Sequence, residues 1–103
     1  MARKKVERER YILYLPNNIY FLRKEHKIKQ EDLANRLGYN PSTIANWEAG
    51  RRTPDPFDLY EMSKLFGIDI DDLVSKDLEA EYYEIKKYSK KYRKEVEEKI
   101  ENT

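Results

Sequence analysis

The chain has 103 residues, of which 40% are charged and 39% hydrophobic, and its formal net charge is +1. This length suits one small domain with extensions and is too short for two domains of ordinary size. There is no cysteine and only one histidine, which excludes disulfides, thiolate metal sites and His-rich metal clusters. The longest apolar run, residues 11–15, is too short to span a bilayer. We therefore expect a soluble, cytoplasmic protein with no metal, no cofactor, no membrane partner and no evident small-molecule ligand.

The positive and negative charges are unevenly distributed along the chain. Residues 1–16 and 17–52 each carry a net charge of +3, residues 53–74 carry −5, and residues 75–103 are neutral. If residues 17–74 form one domain, its two halves have opposite charge, and such a field can steer a polyanion onto one face. The acidic half is then expected to face away from that polyanion. Ordinary solvated helix faces would explain the same distribution.

The chain begins with a basic and apolar arm, residues 1–16. Within it, residues 11–15 suit either a short strand or a helical first turn, since periodicity does not separate the two at that length. The first helix is expected to start at Pro16 and to place Ile19 and Leu22 on one face.

Two short helices joined by a tight turn are predicted next. The first spans Gln30–Leu37 and ends at Gly38, which lacks the Cβ that disfavours a left-handed conformation. The second has Asn40 as N-cap and Pro41 at its first position, and Gly50 stops it. This arrangement is the helix-turn-helix pattern, in which the second helix enters the DNA major groove.

Three further helices are predicted towards the C-terminus. Asp55 and Pro56 open the fourth helix, and Asp69 caps a short fifth one. Residues 78–100 contain neither glycine nor proline and predict a helix of about three heptads that pairs with another helix. Its seam positions alternate at four- and three-residue steps and hold Leu78, Tyr82, Ile85, Tyr92 and Val96, with Ser89 and Lys99 at the two remaining positions. Two alternatives stay open for this C-terminal helix, since it either forms a dimer contact or folds back onto its own domain. Residues 11–15 are the second candidate for a dimer contact.

A series of landmarks extends on both sides of the helix-turn-helix pattern, at residues 22–25, 28–34, 37–38, 42–44, 47–54, 59, 62, 66–68 and 72–73. With these landmarks, residues 17–74 resemble the Cro/phage-repressor (XRE-type) helix-turn-helix DNA-binding family. The resemblance implies an all-α fold: a five-helix repressor-like helix-turn-helix domain with an additional C-terminal helix, residues 75–103, and the short N-terminal arm. It implies a sequence-specific transcriptional regulator, a repressor acting as a homodimer on double-stranded DNA. It implies no enzymatic activity.

The resemblance also assigns DNA-contacting roles to individual residues. Base contacts are expected from four residues of the third helix: Pro41, Ser42, Thr43 and Asn46. Short polar side chains suit base edges, and asparagine can bond adenine through both amide groups. Pro41 replaces a polar residue of many relatives, and its ring can meet only a thymine methyl group. Judged by spacing alone, these polar residues are better explained as an ordinary solvent-exposed helix face. The resemblance to the family makes DNA contact the favoured interpretation.

Contacts to the DNA backbone are expected from five residues: Gln30, Asn40, Arg51, Arg52 and Lys29. Helix N-termini attract phosphate, which suits Gln30 and Asn40, while Arg51 and Arg52 follow the third helix and can reach phosphate or the minor groove. The resemblance further implies an ion pair between Arg23 and Glu48 that ties the first helix to the third.

A protein-interaction module on the same fold, such as an antitoxin or an adaptor, is the alternative function. It predicts that Ser42, Thr43 and Asn46 can be replaced by alanine without loss of DNA affinity. An enzyme is disfavoured, because the sequence contains no recognisable nucleophile–base arrangement, metal cluster or phosphate-binding glycine-rich loop.

Overall fold

The structure is a computed structural model that describes the backbone of residues 2–84 and the side chains of residues 13–84. Five helices follow one another in the order α1 (Ala2–Glu25), α2 (Gln30–Leu37), α3 (Pro41–Glu48), α4 (Pro56–Phe66) and α5 (Ile70–Ser75). Residues 78–84 are again helical and are called α6 below. No strand occurs in residues 2–84. The all-α repressor-like architecture with an additional C-terminal helix is confirmed.

The predicted start of the first helix at Pro16 is wrong. Helix α1 begins at Ala2 and contains the proline, so residues 11–15 are helical. Proline lacks the N–H that bonds the preceding turn and normally kinks or ends a helix, which is the local signal behind the prediction. Leu15, however, is only 2% exposed and packs in the same core as Ile19. The free energy gained by burying Leu15, in the turn before the proline, outweighs the cost of placing a proline inside the helix.

The predicted starts of helices α2 to α5 and the predicted ends of α2 and α3 are confirmed to within one or two residues. Gly38 adopts the left-handed conformation, with φ of 81°. Asp55 caps α4 by accepting a hydrogen bond of 2.8 Å from the backbone N–H of Asp58. Asn40 and Asp69 occupy the N-cap positions of α3 and α5, but neither side chain makes a capping hydrogen bond. The amide of Asn40 is therefore not engaged in closing its own helix.

One hydrophobic core holds the domain together. It draws on every helix from α1 to α6 and consists of Leu15, Ile19, Leu22, Leu33, Ala34, Ile44, Trp47, Leu59, Met62, Phe66, Leu73 and Leu78. Helix α1 lies at the centre, packing against α3 on one side and α5 on another, while α2 packs on α3. The two helices of the helix-turn-helix unit are thus anchored from behind, which leaves the outer face of α3 to solvent.

A buried asparagine joins the end of the domain to α1. Asn18 is 1% exposed. Its Nδ2 donates to the backbone carbonyls of Leu73 and Lys76, each at 2.7 Å, and its Oδ1 accepts from the backbone N–H of Leu78 at 3.2 Å. One side chain therefore satisfies the backbone groups of the turn between α5 and α6.

The first part of the predicted C-terminal seam packs within the chain. Leu78 belongs to the core, and the ring of Tyr82 lies edge-on to Phe21, with 5.5 Å between ring centroids. Residues 78–84 thus lie on α1 of the same chain. The remaining seam residues, Ile85, Tyr92 and Val96, lie outside the described part of the chain.

Candidate nucleic-acid interface

A buried ion pair sets the position of α3 from the inside. Nε of Arg23 donates to Oε2 of Glu48 at 2.8 Å, and Nη2 donates to Oε1 at 3.0 Å, with both side chains only 7% exposed. The remaining Nη1 donates to the carbonyl of Ile28 at 3.0 Å. The hydrogen-bonded Glu48 carboxylate raises the pKa of Arg23 above its usual value. The predicted ion pair is confirmed, and it links α1 to the C-terminal end of α3.

Gln30 is the third member of this network. Its Nε2 donates to Oε1 of Glu48 at 3.2 Å, so the amide at the start of α2 is held next to the end of α3. Lys29, the neighbouring residue, is exposed, and its backbone N–H donates to Oδ2 of Asp32 at 3.3 Å. The N-terminus of α2 and the C-terminus of α3 therefore keep a defined separation, which matters for any ligand that contacts both.

Helix α3 is amphipathic, with its apolar side inward. Ile44 is fully buried and Trp47 is 4% exposed. Ser42 lies exposed on the other side, and Thr43 and Asn46 are half-buried there. The polar side chains selected from the sequence thus share the outward face of a helix that is anchored by its inward face.

These polar side chains form one wall of an open groove. The groove is lined by Tyr39, Ser42, Thr43, Asn46, Trp47, Arg52, Thr53, Asp55 and Asp58. Of the expected backbone contacts, only Arg52 lines it. Pro41, Asn40 and Arg51 are exposed nearby in the chain but do not line it, and Gln30 and Lys29 lie at the start of α2. The groove combines neutral hydrogen-bonding groups, one guanidinium and two carboxylates.

Sequence reasoning missed two other residues that line this groove, Tyr39 and Asp58. The hydroxyl of Tyr39 donates towards both carboxylate oxygens of Asp58, each at 3.0 Å, and its ring packs edge-on to Trp47 at 5.5 Å. Asp58 is 5% exposed and also accepts from the backbone N–H of Asp55 at 3.2 Å. Burial raises the pKa of Asp58, and the Tyr39 hydrogen bond opposes that rise. The hydrogen bonds between Tyr39 and Asp58 hold the turn before α3 against the start of α4.

Two residues of the acidic half lie beside the polar face of α3. Asp55 and Asp58 line the same groove as Ser42, Thr43 and Asn46. The cap signal of Asp55 was visible in the sequence, because it stands directly before Pro56. Its position next to α3 was not visible, because it depends on how α4 packs after the turn that follows Gly50.

Two further observations bear on the kinds of site present. Within residues 2–84, no helix is long and apolar enough to cross a membrane. The described part of the chain also contains no group of three histidine, aspartate or glutamate side chains placed to hold a metal ion.

Comparison with known proteins agrees with this geometry. An uncharacterised HTH-type transcriptional regulator of Methanocaldococcus jannaschii is 34% identical over 59 residues, which cover 57% of this chain and 89% of that protein. Another, of Sinorhizobium fredii, is 32% identical over 59 residues, which cover 57% of this chain and 77% of that protein. No solved structure gives a significant match. A family model described as Helix-turn-helix matches residues 19–73, more than half of the chain. The chain belongs to the helix-turn-helix family, in the Cro/phage-repressor type that its residues resemble.

Proposed function

We propose that this protein is a sequence-specific regulator of transcription that binds double-stranded DNA as a homodimer and reads the major groove with α3. The observation that carries the proposal is the outward polar face of α3, Ser42, Thr43 and Asn46, on a helix positioned from behind by the Arg23–Glu48 ion pair. A helix anchored in this way can enter a groove without rearranging the domain. The names of the two relatives, both HTH-type transcriptional regulators, support the same function.

The side chains divide into base-reading and positioning groups. Ser42, Thr43 and Asn46 carry the hydrogen-bonding groups suited to base edges, and Pro41 offers its ring to a thymine methyl group. The backbone contacts are assigned to Gln30, Lys29, Asn40, Arg51 and Arg52. Two observations support this assignment: the side chain of Asn40 makes no capping hydrogen bond, and the amide of Gln30 is held by Glu48. Both residues stand at helix N-termini, where phosphate is favoured.

Dimerisation follows from the small size of the reading element. One helix of eight residues contacts only a few base pairs, so useful affinity requires two copies on a site with two-fold symmetry. A dimer that covers a promoter blocks polymerase by occupancy, and repression is therefore the proposed outcome. Leu13 supports residues 11–15 as one dimer contact, because its apolar side chain is 66% exposed on α1.

The decisive experiment is selection of bound sites from a pool of random duplexes, followed by measurement of the mass of the complex. The proposal expects a palindromic consensus bound by two chains per duplex. Enrichment of no sequence would overturn specific recognition, and a non-palindromic site bound by a single chain would overturn the dimer. Repression is then tested with a reporter whose promoter overlaps the selected site, where activation instead of repression would contradict that part of the proposal.

A further inference from the structure

The groove beside α3 contains a carboxylate that the proposed function leaves without a role. Asp55 is exposed at the start of α4 and lines the groove together with Ser42, Thr43 and Asn46. Its Oδ1 accepts the capping hydrogen bond from Asp58 at 2.8 Å. Asp55 forms no ion pair within the described part of the chain, and its carboxylate lies beside that of Asp58, whose pKa it helps to raise. Asp55 thus caps the helix through Oδ1, while its exposed side chain stays open to the groove.

Asp58 does not share this availability, although it lines the same groove. The residue is 5% exposed, and its carboxylate accepts hydrogen bonds from the Tyr39 hydroxyl and from the backbone N–H of Asp55. These partners lie within the protein and use both of its oxygens. Among the described residues that line the groove, Asp55 therefore supplies the exposed carboxylate.

The chemistry of this carboxylate differs from that of its neighbours. Ser42, Thr43 and Asn46 each donate and accept hydrogen bonds, whereas an ionised Asp55 only accepts. Base edges in the major groove present donors at the exocyclic amines, cytosine N4 and adenine N6, and acceptors at guanine O6 and thymine O4. A carboxylate attracts the amines and is repelled by carbonyl and phosphate oxygens. Discrimination can come from such repulsion as well as from attraction.

We propose that Asp55 is a specificity-determining residue of the DNA interface, one that selects a base carrying an exocyclic amine next to the bases read by α3. The inference rests on the proposed function, because it requires α3 to lie against base edges. The negative charge of Asp55 lowers the affinity for DNA in general. The loss is smallest at sites where an amine of cytosine or adenine meets the Asp55 carboxylate. The acidic wall of the groove is thus part of the reading surface.

The test compares Asp55→Ser with Asp69→Ser. Serine caps a helix about as well as aspartate, so Asp55→Ser should keep α4 while removing the carboxylate. Asp69→Ser makes the same change of net charge at the start of α5, outside the groove. Both variants and the wild-type chain go through site selection from random duplexes. Their affinities are then measured for the wild-type consensus and for a scrambled duplex, and thermal melting verifies that each variant is folded.

The proposal expects one position of the wild-type consensus, occupied by cytosine or adenine, to lose its preference in Asp55→Ser only. The ratio of consensus to scrambled affinity should fall about tenfold, and affinity for the scrambled duplex should rise. The base found at that position distinguishes cytosine N4 from adenine N6 as the donor. An analogue of that base without its amine should weaken binding of the wild-type chain but not of Asp55→Ser.

Two results would overturn the inference. One is an unchanged consensus in Asp55→Ser. The other is an equal gain in affinity for both duplexes, which would make Asp55 a source of general repulsion only. If Asp55→Ser fails to melt cooperatively, Asp55→Asn, which keeps the shape and a capping oxygen, is tested against the same criteria. Failure of the proposed function is distinguishable, because the wild-type chain itself would then enrich no sequence.

Discussion

Asn46 is the residue in which the functional proposal is most directly tested. It lies half-buried on the outward face of α3, and its backbone carbonyl accepts from the N–H of Arg51 at 2.9 Å, so the turn after α3 packs against it. Its side chain is the group on this helix best suited to a bidentate bond with adenine. A solvated surface residue and a base-reading residue would look alike in the free protein, and substitution separates them.

Asn46→Ala is expected to weaken binding to the selected site by about 1–3 kcal/mol, because one good base contact contributes that much discrimination. Binding to a scrambled duplex should change little. Asn35→Ala, an exposed asparagine on α2, is the matched control and should leave both affinities unchanged. The measurement is titration of labelled duplex by fluorescence anisotropy. No loss at all would favour the protein-interaction alternative, and equal losses on both duplexes would make Asn46 a sequence-independent DNA contact and not a base reader.

Glu48 carries a prediction about stability at the same scale. Glu48→Ala removes the partner of Arg23 and leaves a guanidinium 7% exposed with the carbonyl of Ile28 as its described acceptor. The expected loss is about 3 kcal/mol of unfolding free energy, since an uncompensated buried charge is costly. Urea denaturation measures it. Asp72→Ala breaks the more exposed Asp72–Lys76 pair and should have a much smaller effect. Similar losses in the two variants would mean that burial adds nothing to the Arg23–Glu48 interaction.

At the scale of elements, a buried side chain of α1 helps to hold α6, together with the packing of Leu78 and Tyr82. Asn18 accounts for three hydrogen bonds to the turn between α5 and α6, and its neighbour Asn17 makes one exposed bond of 2.8 Å to Oε2 of Glu79. The two adjacent asparagines have the same chemistry and differ in burial. They therefore form a natural pair for measuring what the buried contact contributes.

Asn18→Ala should lower the unfolding free energy by about 3 kcal/mol, because the buried carbonyl of Leu73 and its companions lose their partner. Asn17→Ala should lower the unfolding free energy by no more than a few tenths of the loss expected for Asn18→Ala. Chemical denaturation followed by circular dichroism gives both numbers, and hydrogen exchange of the Leu78 amide should accelerate in Asn18→Ala alone. Equal losses in the two variants would show that Asn18 does not hold α6 in place.

At the scale of the whole molecule, a net charge of +1 conceals a separation of charge. Residues 17–52, which include the helix-turn-helix unit, are basic, and residues 53–74 are acidic. The structure brings part of the acidic segment to the groove through Asp55, so the two halves do not form two opposite faces. Arg52 remains the basic side chain that lines the groove, and its contribution should appear in the salt dependence of binding.

Arg52→Ala is expected to reduce the slope of log affinity against log salt concentration by about 1, because one phosphate contact releases roughly one counterion. The loss of affinity should be similar for specific and scrambled duplexes. Arg36→Ala removes the same charge from α2 at a site outside the groove and should leave the slope unchanged. An unaltered slope in Arg52→Ala would remove this residue from the backbone contacts.

Local signals in the sequence determined the helices that build the interface. Gly38, Pro41 and Asp55 act through their own backbone or an adjacent turn, so the bounds of α2, α3 and α4 were predictable. Periodicity separated the inward Ile44 and Trp47 from the outward polar residues for the same reason, since both faces belong to one short helix. The Arg23–Glu48 pair required the family resemblance, because nothing local links residues so far apart in the chain.

Only the tertiary structure decided how far α1 extends and what stands opposite α3. Leu15 is buried by residues of other helices, and that burial carries the helix through Pro16 against its local preference. Tyr39 and Asp58 lie 19 residues apart and meet because α4 packs beside the turn that precedes α3. Composition and spacing contain no information about such meetings, since burial and long-range hydrogen bonds arise only once the chain has folded. Helix α3 was therefore determined by the sequence, and the groove beside it was determined by packing.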